Sequence, residues 1–276
     1  MRQSTRPSSV SVALNQFNSQ LSKKDEVLEN KSLDFTVKLA TTLEEREEVF
    51  SLAYQIYLEK GYITENGEKW LTSKYDARSD SAILIVQDRN KKIVGSVTLI
   101  FDSSESLPAA TIFSEELNML RSNNEKIVEI SRLVIDPSYR NAKEILILLF
   151  NYLYIYSYYV KNYTCLAIEV NPRHKDYYRS LLLFEVIGNE KPCPMVQNAP
   201  AVLLHLPLHI GESEIQKYLS NPNKTKTRSL YPFFFKPEYE NLVISYLKNQ
   251  LKPITKEEKK YFGLNDKLLK EDIVLV

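Results

Sequence analysis

Over residues 34–40, DFTVKLA, apolar and polar positions alternate with the period of a strand. The period then lengthens. Thr42 followed by Glu45 has capping-box spacing, and beyond it Arg46, Val49, Phe50, Ala53, Ile56 and Tyr57 share one face at helical spacing. Arg46 is the polar exception on that face, either a snorkelling rim residue or one aimed into a site. Residues 61–78 read as loop and hold Trp70, Tyr75 and Asp76. Strands over 82–87 and 93–101 flank the polar turn 88–92 as a hairpin.

A loop and short helix over 102–124 lead to a strand at 127–135 and the turn Asp-Pro-Ser-Tyr. A long helix follows over 142–159, then a strand at 165–170, a helix opened by Pro172 and running to Leu183, and strands at 184–187 and 201–208. Antiparallel strands followed by a strand–helix–strand unit predict an α/β (α+β) domain, a mixed and mostly antiparallel sheet flanked by helices. Three parts are expected: a flexible leader over 1–33, rich in Ser, Asn, Gln and Lys; a sheet domain over 34–210; and a helical, aromatic extension over 211–276 that contains YPFFF.

The strand at 127–135 breaks its own pattern. Its sequence IVEISRLVI places a carboxylate, a hydroxyl and a guanidinium within four positions of what otherwise reads as core. Ideal alternation puts Glu129 and Ser131 on one face with Ile127 and Leu133, and Arg132 on the other with Val128, Ile130 and Val134. A buried unpaired charge costs several kcal/mol, so these groups need partners. They form either an ion-pair network bracing the sheet, with Arg46 or Asp76 as partner, or a site. A β-bulge would bring Arg132 round to the Glu129 face.

Composition removes several alternatives. The 276 residues carry a net charge of only +1, which gives no support to a strongly electrostatic nucleic-acid or membrane-surface role. Six glycines, none between 96 and 187, cannot build a Walker loop or a dinucleotide fingerprint. Two cysteines and three histidines without metal-binding spacing predict no metal centre, and Cys165 reads as a buried thiol. The tyrosine-rich run FNYLYIYSYY lacks the basic interleaving of a nucleic-acid platform and reads as helix packing, with an apolar tunnel beside it as the alternative. No apolar run is long enough for a signal peptide or a transmembrane span, so a cytoplasmic protein is expected.

The run Glu129-x-Ser131-Arg132-x-x-x-Asp136 resembles the ExSR strand of acyl-homoserine-lactone synthases, members of the GNAT acyltransferase superfamily. Arg46 with Val49-Phe50, then Trp70, Tyr75-Asp76 and Gly95, follow in the same order. ATTLEEREEVF, EISRLVIDPSYR, EVNPRHKDYYRSLL, EVIGNEKPCP and APAVLLHLPL more closely resemble the N-acyl amino acid synthases of N-acyl-tyrosine synthase type, over roughly residues 35–210. The resemblance implies a GNAT fold and transfer of a long acyl chain from acyl carrier protein to an amino acid's nitrogen. No tightly bound cofactor is implied; the donor is the acyl-phosphopantetheine thioester.

On this resemblance Glu129, Ser131 and Arg132 are the catalytic candidates, and Arg46, Trp70, Asp76 and Arg132 the substrate-binding ones. The segment RNAKEI lacks the glycines with which coenzyme-A-dependent relatives hold pyrophosphate at a helix N-terminus, which disfavours coenzyme A. Arg140 and Lys143 remain to meet the single phosphodiester of a carrier arm, with Lys224, Lys226 and Arg228 extending a basic docking patch or forming a solvated loop. Leu183 stands where a glycine commonly precedes the phenylalanine in such sequences. A lactone-type synthase consuming S-adenosylmethionine, and a non-catalytic scaffold binding an acyl carrier protein or another partner, are the competing expectations.

Overall fold

The computed structural model describes residues 35–139, 142–220 and 228–264. The leader over 1–33, Arg140, Lys224 and Lys226 lie outside the described residues. Strand β1 (Thr36–Leu39) leads into helix α1 (Leu43–Glu59), which starts at the expected capping box: Glu45 N–H donates to the Thr42 hydroxyl at 3.3 Å, and Thr42 N–H donates to the Glu45 carboxylate at 3.3 Å. Strands β2 (Ala82–Gln87), β3 (Ile93–Phe101), β4 (Ile127–Ile135), β5 (Cys165–Val170), β6 (Glu185–Val186), β7 (Lys191–Cys193) and β8 (Ala199–Pro207) follow. Between them lie helices α2 (Ala110–Ser122), α3 (Ala142–Ile155) and α4 (Lys175–Leu182).

The sheet runs β1-β2-β3-β4-β5-β8-β6, with β7 also on β8, and only β4 and β5 pair parallel. Helix α3 packs on one face, against Val97, Leu99, Val128, Ile130, Leu166 and Leu204. Helices α1 and α2 cover the other, α1 over Ile83, Ile85 and Ile93 and α2 over Ile100, Ile127, Cys165 and Ala167. Because both faces are covered, every residue of β2 and β3 is buried, which explains their apolar runs.

Gly95 on β3 lets α3 approach. A Cβ built there would stand 2.7 Å from Ile145 Cγ2, on a branched side chain held in the core. Gly95→Ala is expected to cost about 1–3 kcal/mol through overpacking, visible as a lower Tm in a thermal melt. Leu183 caps α4 with φ +64°, in the left-handed region where glycine is preferred, so a leucine is strained at the position where the resemblance implies a glycine.

Beyond β8, helix α5 (Leu208–Ser220), the turn Tyr231–Phe233, helix α6 (Pro237–Lys248) and helix α7 (Lys256–Tyr261) wrap the domain. The tyrosine-rich run packs as a helix does. Its last turn, Tyr156–Val160, widens to π geometry, while Tyr152 meets Phe235 and Tyr239 lies beyond it, and Tyr154 meets Phe234. The backbone N–H of Phe235 donates to Asn151 Oδ1 at 2.7 Å, tying the extension to the middle of α3. None of the helices among the described residues is long and apolar enough to cross a membrane.

Candidate active site

Two irregularities in the sheet build the site. The β4–β5 pairing runs from Ile127↔Cys165 only to Ile130↔Ile168, so the strands part beyond Ile130 and leave one edge of each without its neighbour. On the opposite edge, β3 and β4 pair at Thr98↔Ser131 and next at Ser96↔Val134. Arg132 and Leu133 therefore oppose the single residue Val97, which is a β-bulge, and Arg132 adopts φ +44°.

The bulge changes the alternation. Arg132 and Val134 turn toward α1 on the Glu129 face, and Leu133 turns toward the α3 core. Simple alternation had placed Arg132 and Val134 opposite Glu129; the inserted residue is the reason it does not hold.

Arg132 is engaged there through both Nη atoms. Its Nη1 donates to Asp76 Oδ2 at 2.7 Å and to Leu71 O at 3.1 Å; its Nη2 donates to Asp76 Oδ1 and to Thr98 Oγ1 at 3.2 Å. The guanidinium also lies 5.6 Å from the centre of the Phe50 ring. Asp76 in turn accepts from Ser73 N at 2.6 Å and Ser73 Oγ at 3.1 Å, which caps the single turn Lys74–Ala77. The loop carrying Asp76 is thereby pinned to the bulge.

Glu129 is 3% exposed. Ala109 N–H, at the start of α2, donates to its Oε2 at 2.9 Å. Burial raises its pKa well above the ordinary carboxylate range, and Glu169 and Asp102 add to the effect against the lowering by Ala109. A carboxyl so placed is a proton acceptor of useful strength. Ser131, half-buried, sits between it and the bulge.

The other candidates stand apart from this cleft. Arg46 Nη1 donates to Glu258 Oε1 at 2.6 Å and Nη2 to Lys252 O at 2.7 Å, so the extension already supplies its counter-charge. Trp70 packs against Tyr261 and Phe262, also of the extension. Arg46 and Asp76 line one small surface pocket with Arg78, Leu251 and Ile254. Asp136 accepts from Lys92 Nζ at 2.7 Å and Ser138 Oγ at 2.6 Å, holding the turn after β4. Lys143 Nζ lies 5.0 Å from the Phe233 ring centre.

Sequence reasoning passed over three side chains. Glu169 is the penultimate residue of β5, on the α2 face, and its carboxyl meets the Cys193 thiol. Burial pushes the Cys193 thiol up to about 12. Tyr57 of α1 faces Arg132, Tyr62, Glu169 and Cys193, and burial pushes its hydroxyl up to about 12 as well. The available signal was a lone glutamate inside the apolar strand CLAIEV, as Glu129 interrupts IVEIS.

A search of curated proteins by sequence finds no significant match. Among solved structures, FeeM, an N-acyl amino acid synthase from uncultured soil microbes, superposes with a TM-score of 0.56 at 22% identity, over 63% of this chain and 90% of that one. LasI, an acyl-homoserine-lactone synthase, gives 0.50 at 18% identity, over 63% and 90%. These likenesses establish a GNAT-like fold for the sheet domain. The family model of the N-acyl amino acid synthase FeeM matches residues 48–207, from the first turns of α1 to the end of β8, and so takes in the parted strands, Glu129 and the bulge. The chain belongs to the FeeM family of N-acyl amino acid synthases and is an acyltransferase.

Proposed function

We propose that the protein moves a long-chain acyl group from the phosphopantetheine thioester of an acyl carrier protein to the α-amine of an amino acid, giving an N-acyl amino acid. The observation that carries this reading is the buried, raised carboxyl of Glu129 where β4 and β5 part. A thioester is already activated, so no enzyme nucleophile is needed. The work is to take protons from the ammonium, to stabilise the tetrahedral oxyanion and to let the thiolate leave. Glu129 is the base, directly or through a water. Backbone amides of β4 beyond Ile130, free of β5, face the cleft and suit the oxyanion. Ser131 orients Glu129 or touches substrate.

Arg132 and Asp76 form the wall of the acceptor pocket, with Arg46 and Trp70 behind them under the extension. The glycine-free start of α3 supports a carrier arm over coenzyme A. Lys143, with Arg140 three residues before it in sequence, is the point where an acidic carrier docks.

The test is a mass-spectrometric assay with purified protein, palmitoyl- and lauroyl-loaded acyl carrier protein, pooled amino acids and S-adenosylmethionine. An N-acyl amino acid is expected, and its mass names the acceptor. An acyl lactone would replace the amino-acid acceptor with S-adenosylmethionine. An intact thioester with the carrier still bound would make the protein a scaffold.

A further inference from the structure

Glu129 is not the only carboxyl in the cleft. Glu169 lies on β5 two residues beyond Ala167, the pairing partner of Glu129, and one residue beyond the last β4–β5 pair. With parallel strands about 4.8 Å apart and a rise of about 3.3 Å per residue, the two α-carbons stand about 8 Å apart. Glu169 shares a face with Cys165 and Ala167, and that is the Glu129 face. Its Oε2 is covered and has no hydrogen-bond partner among the described residues, an arrangement that is costly unless something enters the cleft to meet it. Arg132, the cation of the cleft, is committed to Asp76.

Among the described residues, the groups facing Glu169 are Glu129 from β4, Tyr57 from α1 and Cys193 from β7, while Arg132 faces Tyr57. Tyr57 and Cys193 stay protonated at neutral pH, both being pushed up to about 12. The two carboxyls are therefore the groups that exchange protons.

The chemistry asks for two proton acceptors. An α-ammonium loses one proton to expose its lone pair. It loses a second as the C–N bond forms and the carbonyl's π electrons move to oxygen. When the C–S bond breaks, the electron pair leaves on sulfur and the thiolate takes one proton, so one proton is released per turnover. A single carboxylate cannot hold both at once.

We infer that Glu169 is a second catalytic carboxylate, which draws the acceptor's ammonium into the cleft and takes its first proton, leaving Glu129 to take the second and return it to the departing thiolate. This rests on the acyl-transfer reading above.

The test is the pH dependence of kcat/KM for the amino-acid acceptor in wild type, Glu169→Gln, Glu169→Asp and Glu129→Gln, between pH 6.5 and pH 9.5. In Glu169→Gln the loss is expected to be about 100-fold at the acid end. It should shrink to less than about tenfold once the acceptor deprotonates on its own, near pH 8 or above. Glu169→Asp should retain part of the activity and Glu129→Gln should lose it at every pH. A Glu169→Gln deficit that is absent, or equal at both ends of the range, overturns the assignment. So does a Glu169→Asp variant as inactive as the Gln one. Failure of the wild type to acylate any amine overturns the acyl-transfer reading instead, and this one with it.

Discussion

Glu129→Gln is expected to cut kcat by about 10²–10⁴-fold and to leave the protein folded. The amide keeps an oxygen for Ala109 N–H, which donates to Oε2 at 2.9 Å, so the contact with the start of α2 survives. What disappears is the ability to take a proton. The pH dependence separates this from unfolding. Glu129 holds its proton more tightly folded than unfolded, because burial raises its pKa. The stability that Glu129 itself contributes is therefore greatest below the ordinary carboxylate range and declines as pH climbs toward the raised folded value.

Glutamine does not ionise and escapes that decline, so at pH 8 the variant should melt no lower than wild type in a ligand-free thermal scan. Wild-type activity should run the other way and rise with pH through the same raised range, since the base works ionised. The inflections belong to Glu129 and Glu169 as a pair. A variant that keeps full turnover would remove Glu129 from the mechanism; one that is inactive and also melts well below wild type would make it a structural residue.

The order of the longer strands and helices was legible because each carries its own period, whereas the three-residue β7 (Lys191–Cys193) is too short to show one and was not foreseen. Capping at Thr42, alternation at 36–39 and the buried runs of β2 and β3 all reflect local chemistry that tertiary packing then confirms. The bulge at Arg132 was not legible. Nothing in ISRLV distinguishes a regular strand from one with an inserted residue, since the left-handed φ falls on an arginine and no glycine marks it. One register shift then moved Arg132, Leu133 and Val134 to the faces opposite those that alternation gives. Glu169 was missed for a related reason: it becomes part of the cleft only because β4 and β5 stop pairing one residue earlier, a property of two strands that neither reveals alone. The engagement of Arg46 with Glu258, more than two hundred residues away, is likewise invisible to local pattern.

Asp76→Asn should destabilise the fold by about 3–5 kcal/mol, because it leaves the Arg132 guanidinium buried without its counter-charge. The two side chains are 5% and 1% exposed, so water cannot take the place of the carboxylate. For a chain of this size the loss corresponds to a fall in Tm of about 6–20 °C. Leu71 O and Thr98 Oγ1 would remain as acceptors for the guanidinium, but neither is charged. The turn Lys74–Ala77 would also weaken, since Asp76 is the acceptor for Ser73 N. Replacing both partners with apolar residues of similar volume, Arg132→Met with Asp76→Leu, should recover a large part of the stability, since a buried pair contributes little over a packed apolar contact once its desolvation is counted. It should not recover activity, because the pocket wall and the charges in the cleft would be gone. A different result would reverse the assignment. If Asp76→Asn melts within about 1 kcal/mol of wild type while KM for the acceptor changes sharply, the pair opens in the working enzyme, and Arg132 grips the substrate's carboxylate in place of Asp76.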